Sequence, residues 1–181
     1  MFISSNPKLI DDASLNQYLR HCEVTSQWKL HKCESVWNER VIHHSVLPKH
    51  IKRKNMALLG TIKRLIFSEF KITRGLYADY FGLVRWRVGD FQDPHADSEN
   101  PDGSQHQYYW RAISSVFYLN DNYQGGTIYF PNQNIEIKPE RNTLLIFPGT
   151  LQYLHAVRKI TSGVRYTVTA FWTYDKNRSM F

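Results

Sequence analysis

The chain has 181 residues, of which 42% are hydrophobic and 14% aromatic, and its formal net charge is +7. This composition is typical of one folded globular domain with a sizeable core, and it excludes a disordered or coiled-coil chain. The longest apolar runs fall far short of the roughly 20 residues that span a bilayer, so we expect no membrane protein. The N-terminus carries no secretion signal pattern, and Cys22 and Cys33 form no CxxC motif. We therefore expect a reduced, cytoplasmic location.

Two helices are predicted in the first third of the chain. Residues 11–22 begin with Asp and Ser at capping positions and place apolar residues at helical spacing, which predicts a short helix. Pro48 precedes a longer pattern with apolar residues on one face and Lys and Arg on the other. This pattern predicts a helix over about 48–69.

Short β-rich runs separated by turn residues occupy the chain from about residue 83 onward. The runs are LVRWRV, AISSVFYL, GTIYF, IEIK, TLLIF, YLHAVRKI and RYTVTAFWTY. Seven or eight short strands at this spacing predict a sandwich or a barrel. The polar stretch 98–109 is the one long irregular segment, and loops of this length are often functional.

Basic residues are concentrated in one segment, residues 49–87, which holds ten Lys or Arg and two acidic residues. The rest of the chain is close to neutral. On the predicted long helix these charges most simply form a solvated outer face. An acidic protein substrate and nucleic acid stay open as partners. Nucleic acid is less favoured because no aromatic residues interleave the lysines.

A possible metal site begins with His95 and Asp97, which point to the same side of an extended chain. Taken alone, a solvated turn histidine and a helix-capping aspartate explain this pair equally well. His155 lies in a second strand-like run, and two His with one carboxylate make the facial triad of non-haem Fe(II) oxygenases. Arg165 and Thr167 follow on one strand face and could bind a carboxylate. Considered alone, Arg165 is most simply an ordinary arginine of a β-hairpin with no role in binding.

Residues 80–174 resemble the catalytic domain of the Fe(II)- and 2-oxoglutarate-dependent dioxygenases, most closely the prolyl 4-hydroxylase-like group. The resemblance covers about 95 of the 181 residues and rests on motifs in the expected order. The motifs are RWRVGDFQDPHAD, SSVFYLND, QGGTIYFP, IKPERNTLLIFPG and His155 with Arg165 and Thr167. The implied fold is mainly β, a double-stranded β-helix or jelly roll, with the N-terminal helices packed on one outer face. We expect a single domain of residues 1–181, in which residues 1–79 support a catalytic core of residues 80–174.

The resemblance also implies a role for individual residues. His95, Asp97 and His155 match the iron ligands. Arg165, with Thr167 nearby, matches the residue that pairs with the distal carboxylate of 2-oxoglutarate, and Tyr118 matches a tyrosine that reaches the same carboxylate. The positions that match the walls of this cosubstrate pocket are Val116, Ile128, Phe171 and Trp86. For Val116 and Ile128, plain core packing is an equally good interpretation, and strand alternation allows only one of Phe171 and Trp172 to point inward.

Three positions depart from the family pattern. Trp86 stands where relatives usually have a tyrosine, and Gln92 replaces an aromatic residue three positions before His95. Arg165 stands where collagen-type prolyl 4-hydroxylases have lysine. The first two departures leave the shape of the substrate pocket open.

The implied reaction is hydroxylation of an unactivated C–H bond, with decarboxylation of 2-oxoglutarate to succinate. Fe(II), 2-oxoglutarate and O2 are the implied cofactors, with ascorbate as a candidate stimulant. A peptide or protein substrate, most simply a peptidyl proline, is favoured over a free amino acid, a small metabolite or a nucleobase. The rival hypothesis is a non-catalytic metal-binding β-helix protein. His106, on the 98–109 loop, could contact substrate, but we expect it to be solvated. Both a monomer and a homodimer stay open.

Overall fold

The structure is a computed structural model, which describes residues 2–3, 9–35 and 37–181. Most of the N-terminal stretch that was examined for a secretion signal lies outside the described residues, as does a small part of the predicted support segment 1–79. Within the described ranges, no helix is long and apolar enough to cross a membrane.

Both predicted helices are present. Helix α1 spans Asp12–Val24, and its N-terminus is capped by Asp11, whose side chain accepts a hydrogen bond from the Ser14 backbone at 2.7 Å. Helix α2 spans Lys49–Glu69, within one residue of its predicted ends. Each helix buries one apolar stripe, as its sequence period requires.

The strands, numbered in chain order, form two main antiparallel sheets and one small pair. The larger sheet has the order β1-β9-β5-β12-β3-β2 and consists of β1 (Phe2–Ile3), β2 (Val41–His43), β3 (Tyr77–Trp86), β5 (Arg111–Tyr118), β9 (Leu144–Pro148) and β12 (Arg165–Thr173). The smaller sheet has the order β4-β10-β7-β8 and consists of β4 (Gln92–His95), β7 (Ile128–Phe130), β8 (Ile135–Ile137) and β10 (His155–Val157). The pair consists of β6 (Gln124–Gly125) and β11 (Ile160–Ser162).

Each predicted β-rich run contains a strand, but the boundaries differ. Strand β3 begins at Tyr77, earlier than predicted, and the run YLHAVRKI is divided between β10 and β11. Strands β1, β2, β4 and β6 were not predicted, because each has only two to four residues and no clear alternation. Hydrogen bonds to distant partners define such short strands.

Two layers of apolar packing hold the elements together. The larger sheet packs its outer face against α1 and α2, where Leu15, Ile62 and Trp172 are almost completely buried. A second cluster, which includes Phe130 and Phe147, fills the space between the two sheets. Two facing antiparallel sheets with helices on one outer side make a double-stranded β-helix, which confirms the predicted fold class.

The basic segment 49–87 is divided between two elements and does not form one surface. On α2, Lys49, Arg53 and Arg64 are exposed, in agreement with a solvated outer face. Arg85, on β3, instead lies over the Trp28 ring at 4.9 Å and donates a hydrogen bond to the Glu39 carbonyl. The basic residues of this segment therefore lie in different surroundings: those named on α2 are exposed to solvent, whereas Arg85 packs on an aromatic ring.

A buried polar chain links the two helices to the residues before α2. The Tyr18 hydroxyl donates to Asn55 Oδ1 at 2.7 Å, and Asn55 Nδ2 lies 3.4 Å from His44 Nδ1. The amide nitrogen can only donate, so His44 Nδ1 accepts and the imidazole is neutral in this arrangement. Burial also lowers the pKa of His44, and the charges of Lys52 and His43 act in the same direction.

We expect the buried His44 to make the fold sensitive to acid. Its pKa is lower in the folded than in the unfolded state, so its contribution to stability is complete above pH 6.5 and is lost as the pH falls below that value. Chemical denaturation at a series of pH values measures this effect. The free energy of unfolding should depend less on pH in His44→Gln than in the wild type. His50→Gln, at an exposed position of α2, is the control, and equal pH slopes for the wild type and His44→Gln would contradict the prediction.

Candidate metal centre

Three side chains that could bind a metal ion meet between the two sheets. His95 ends β4 and His155 begins β10, and the two residues are direct partners in the antiparallel pairing of these strands. Asp97 lies two residues beyond the end of β4. The three ligand atoms lie within 4.8 Å of one another, with Asp97 oxygens 3.8 Å from His95 Nε2 and 3.7 Å from His155 Nε2. The structure thus brings together the three residues that were predicted to bind iron.

The backbone fixes the proton on each imidazole. His95 Nδ1 lies 2.9 Å from the Asp93 carbonyl oxygen, and His155 Nδ1 lies 3.1 Å from that of Tyr153. A carbonyl oxygen only accepts, so each Nδ1 carries the hydrogen and each Nε2 presents a lone pair to the centre. Burial lowers the pKa of His155, which favours the neutral, metal-binding form.

Asp97 is held from its backbone and from its side chain. The Asp97 amide donates to the Gly149 carbonyl at 2.9 Å, and the Ser114 hydroxyl donates to Asp97 Oδ2 at 2.5 Å. A side chain at position 149 would place its Cβ 2.8 Å from the Arg111 carbonyl oxygen, so this close approach of two chain segments requires glycine. These contacts orient the carboxylate before any metal binds.

Arg165 lies in the same cavity of about 680 Å³ as the three candidate ligands. Only 2% of the residue is exposed. Arg165 Nη1 donates to the Gly126 carbonyl at 2.6 Å, while Nε is buried with no hydrogen-bond partner. No carboxylate in the described part of the chain forms an ion pair with this guanidinium. A buried, unpaired cation beside a metal site fits a small ligand that carries a carboxylate.

All the other predicted pocket residues line this cavity. They are Val116, Tyr118, Ile128, Thr167, Phe171 and Trp86. Phe171 faces the cavity, whereas Trp172 packs on the helix side of the sheet, where its indole donates to the Ser115 hydroxyl at 2.9 Å. Tyr118 is buried, and its side chain lines the cavity. The roles of these residues in binding a cosubstrate stay predictions.

Two residues near the centre were not identified from the sequence. Ser114 alternates with Val116 and Tyr118 along β5, so the two-residue period of the SSVFYLND motif was a signal for its inward position. The Tyr123 hydroxyl is buried and has no hydrogen-bond partner in the described chain. It lies close enough to Arg165 for the two groups to interact electrostatically. No sequence pattern indicates Tyr123, which packs closely on Gly126: a Cβ at position 126 would lie 3.2 Å from its ring.

Aromatic residues and an arginine form another part of the cavity wall. The Arg111 guanidinium lies 3.8 Å from the centre of the Tyr108 ring and 3.9 Å from that of Phe171. Asp79 accepts a hydrogen bond from Arg111 Nε at 2.9 Å and neutralises its charge. His106 was expected in solvent, but it is half-buried and lines the cavity, together with Gln107 and Tyr108 from the end of the 98–109 loop.

The sequence profile of the 2OG-Fe(II) oxygenase superfamily matches residues 81–174. Among curated proteins, rat prolyl 3-hydroxylase 1 is 24% identical over 139 residues, which cover 65% of this chain and 19% of that protein. The probable prolyl 4-hydroxylase 9 of Arabidopsis thaliana is 27% identical over 141 residues, which cover 63% of this chain and 49% of that protein. The chain thus spans about a fifth of the length of the prolyl 3-hydroxylases that it matches.

Several solved structures share the fold. A viral collagen prolyl hydroxylase from Paramecium Bursaria Chlorella virus-1, in a 2OG complex, has a TM-score of 0.74 and 14% identity, with 97% of each chain covered. A Pseudomonas putida prolyl-4-hydroxylase has a TM-score of 0.66 and 16% identity, with 94% of this chain and 91% of that chain covered. A Trichoplax adhaerens prolyl hydroxylase in complex with a hypoxia inducible factor peptide has a TM-score of 0.67 and 17% identity, with 98% and 84% covered.

We expect Ser114→Ala to lower metal affinity about 10- to 100-fold, because Asp97 loses the hydrogen bond that orients its carboxylate. Titration of the protein with Mn(II) or with Fe(II) in the absence of oxygen measures the affinity. Ser115→Ala is the matched control, since its hydroxyl is bonded to Trp172 and to the Ala170 carbonyl on the other side of β5. Ser115→Ala should lower stability and leave metal affinity unchanged. Equal metal affinity in Ser114→Ala and the wild type would contradict the prediction.

Proposed function

Because the chain belongs to the 2OG-Fe(II) oxygenase superfamily, we propose that it is a 2-oxoglutarate-dependent dioxygenase that hydroxylates an unactivated C–H bond. The observation that carries this proposal is one cavity holding both the His95, Asp97 and His155 cluster and an unpaired buried arginine. We further propose that the substrate is a peptidyl proline and that the cosubstrate is converted to succinate and carbon dioxide.

The residues present fit Fe(II). Two neutral imidazole nitrogens and one carboxylate on one side of the site match the donor set of non-haem iron oxygenases, and they leave the opposite side free. When bound, iron and 2-oxoglutarate supply the oxidising chemistry that inserts oxygen into a C–H bond. The chain's own contribution is to fix the three donors through Asp93, Tyr153 and Ser114, whose hydrogen bonds need no rearrangement when a metal enters.

The cavity also fits a dicarboxylate. Arg165 is buried and offers the N–H donors of a guanidinium. The Tyr118 side chain lies beside it, with the central guanidinium carbon of Arg165 5.7 Å from the Tyr118 ring centre. Thr167 is the direct strand partner of Tyr118, so its hydroxyl belongs to the same end of the cavity. Asp97 is the sole acidic residue among the described residues that line the cavity, so a bound anion meets little repulsion there.

Three observations support a peptide substrate. The cavity wall includes Tyr80, Tyr108 and Phe171, and aromatic surfaces of this kind bind the preformed, extended conformation of proline-rich segments. The relatives and solved structures named above are prolyl hydroxylases, and the Trichoplax adhaerens protein was solved with a peptide. A free amino acid, a small metabolite or a nucleobase is the alternative substrate. Mass spectrometry of candidate peptides incubated with Fe(II), 2-oxoglutarate, ascorbate and air decides between them.

A non-catalytic metal-binding protein is the second candidate function. The buried, unpaired Arg165 argues against it, because a protein that only binds metal gains nothing from an unpaired cation in its core. We also propose that the segment 1–79 serves to support the core, as the contacts of α1 and α2 with the larger sheet suggest. A cytoplasmic location and a role for ascorbate stay proposals.

We expect Asp97→Ala to lower metal-dependent succinate formation by more than about 100-fold, since the variant loses the one charged ligand. Succinate can be measured by mass spectrometry with and without a candidate peptide. Asp93→Ala is the matched control, because this exposed carboxylate lies on β4, four residues before Asp97, and only its backbone carbonyl contacts His95. Succinate formation by Asp97→Ala at the wild-type rate would refute the assignment of the metal site.

Tyr108→Ala should weaken peptide binding about five- to tenfold, because the variant loses an aromatic ring from the wall of the cavity. The KM for the peptide should rise while the Kd for 2-oxoglutarate stays constant. The neighbouring Tyr109 is exposed and does not line the cavity, so Tyr109→Ala is the control. An unchanged KM for peptide in Tyr108→Ala would show that the Tyr108 side chain does not contact the substrate.

A further inference from the structure

The Arg165 guanidinium lies against an aromatic ring in place of an acid. Its central carbon is 4.6 Å from the centre of the Trp86 ring. Arg165 and Trp86 are direct partners in the pairing of β12 with β3, so their side chains leave the sheet on the same side. Trp86 is itself 4% exposed, which removes water from this contact and strengthens it.

A second arginine contacts the same indole. The Arg40 guanidinium lies 5.0 Å from the centre of the Trp86 ring, and Arg40 Nη2 forms an ion pair with Asp90 at 2.7 Å. Strand β3 lies between β12 and β2 in the larger sheet, and Arg40 directly precedes β2. The two guanidiniums therefore approach Trp86 from opposite neighbours of its strand. Asp90 pairs with Arg40 and also with Arg87, whose Nε lies 3.6 Å from Asp90 Oδ2, whereas Arg165 has no carboxylate partner among the described residues.

We infer that Trp86 is a positioning residue, which fixes the Arg165 guanidinium for a distal carboxylate while leaving its charge and N–H donors available. An acid at position 86 would hold Arg165 equally well, but it would neutralise the charge and occupy the donors that a ligand needs. The face of an indole attracts the cation and uses none of those donors. Trp86, which stands where relatives usually have a tyrosine, thus determines how strongly the site binds a dicarboxylate.

This inference rests on the proposed function, and its test compares two ligands. Both 2-oxoglutarate and 2-oxopentanoate carry the 2-oxo acid group, but only 2-oxoglutarate carries the distal carboxylate. Calorimetry with the Mn(II)-loaded protein measures both affinities without turnover. We expect Trp86→Leu to weaken 2-oxoglutarate binding about tenfold and to change 2-oxopentanoate binding less than twofold. Trp86→Phe should lie between Trp86→Leu and the wild type, because a phenyl ring retains a weaker attraction for the cation.

A double-variant cycle separates positioning from a general structural role. In an Arg165→Leu background, replacement of Trp86 by leucine should cause no further loss of 2-oxoglutarate affinity, because the group that Trp86 positions is gone. Equal losses for both ligands, or an unchanged affinity for 2-oxoglutarate, would overturn the inference. If Trp86→Leu does not fold, the same comparison of the two ligands with Trp86→Phe decides the question.

The wild-type protein distinguishes failure of this inference from failure of the proposed function. Metal-dependent binding of 2-oxoglutarate by the wild type supports the proposed function, whatever the Trp86 variants do. Absence of that binding overturns the proposed function, and the inference with it. Thermal unfolding of each variant shows whether a loss of affinity follows a loss of fold.

Discussion

The pairing of β4 with β10 is the constraint on which the site depends. This pairing sets His95 directly opposite His155, and the chain then turns so that Asp97 reaches both imidazoles. The strands have only four and three residues, so neither would be stable alone. The second sheet and its contacts with the first supply the stability that holds three potentially charged groups within 4.8 Å.

Charge in the cavity is arranged unevenly. The carboxylate of Asp97 lies at the metal end and accepts a hydrogen bond from Ser114, whereas Arg165 lies among aromatic rings and has no anionic partner among the described residues. Leaving a guanidinium buried without a counter-ion opposes folding. The contact with Trp86 offsets part of that effect, and a carboxylate ligand would offset more. Such a site favours the binding of an anion. This agrees with the proposed cosubstrate, which would bind Arg165 through its distal carboxylate.

The two faces of the larger sheet have different roles: one lines the cavity, and the other packs against α1 and α2. Along β12, Arg165, Thr167 and Phe171 face the cavity, while Val168 and Trp172 contact the helix side. The same alternation on β5 directs Ser114 towards the metal site. Packing of α1 and α2 on the outer face therefore fixes the strands without obstructing the cavity. Removal of this apolar layer would loosen the anchoring residues even though it contains none of them.

Elements with a local signal could be predicted from the amino-acid sequence. Helical and two-residue periods predicted α1, α2 and the longer strands, and the motifs around His95, Asp97, His155 and Arg165 indicated the superfamily and the candidate ligands. Three features became visible only in the folded chain: the pairing of the short segments, the position of His106 in the cavity wall, and the contact of Trp86 with two arginines. These features depend on contacts between residues far apart in the chain. No local pattern encodes such contacts, because their free energy appears only when both sheets are assembled.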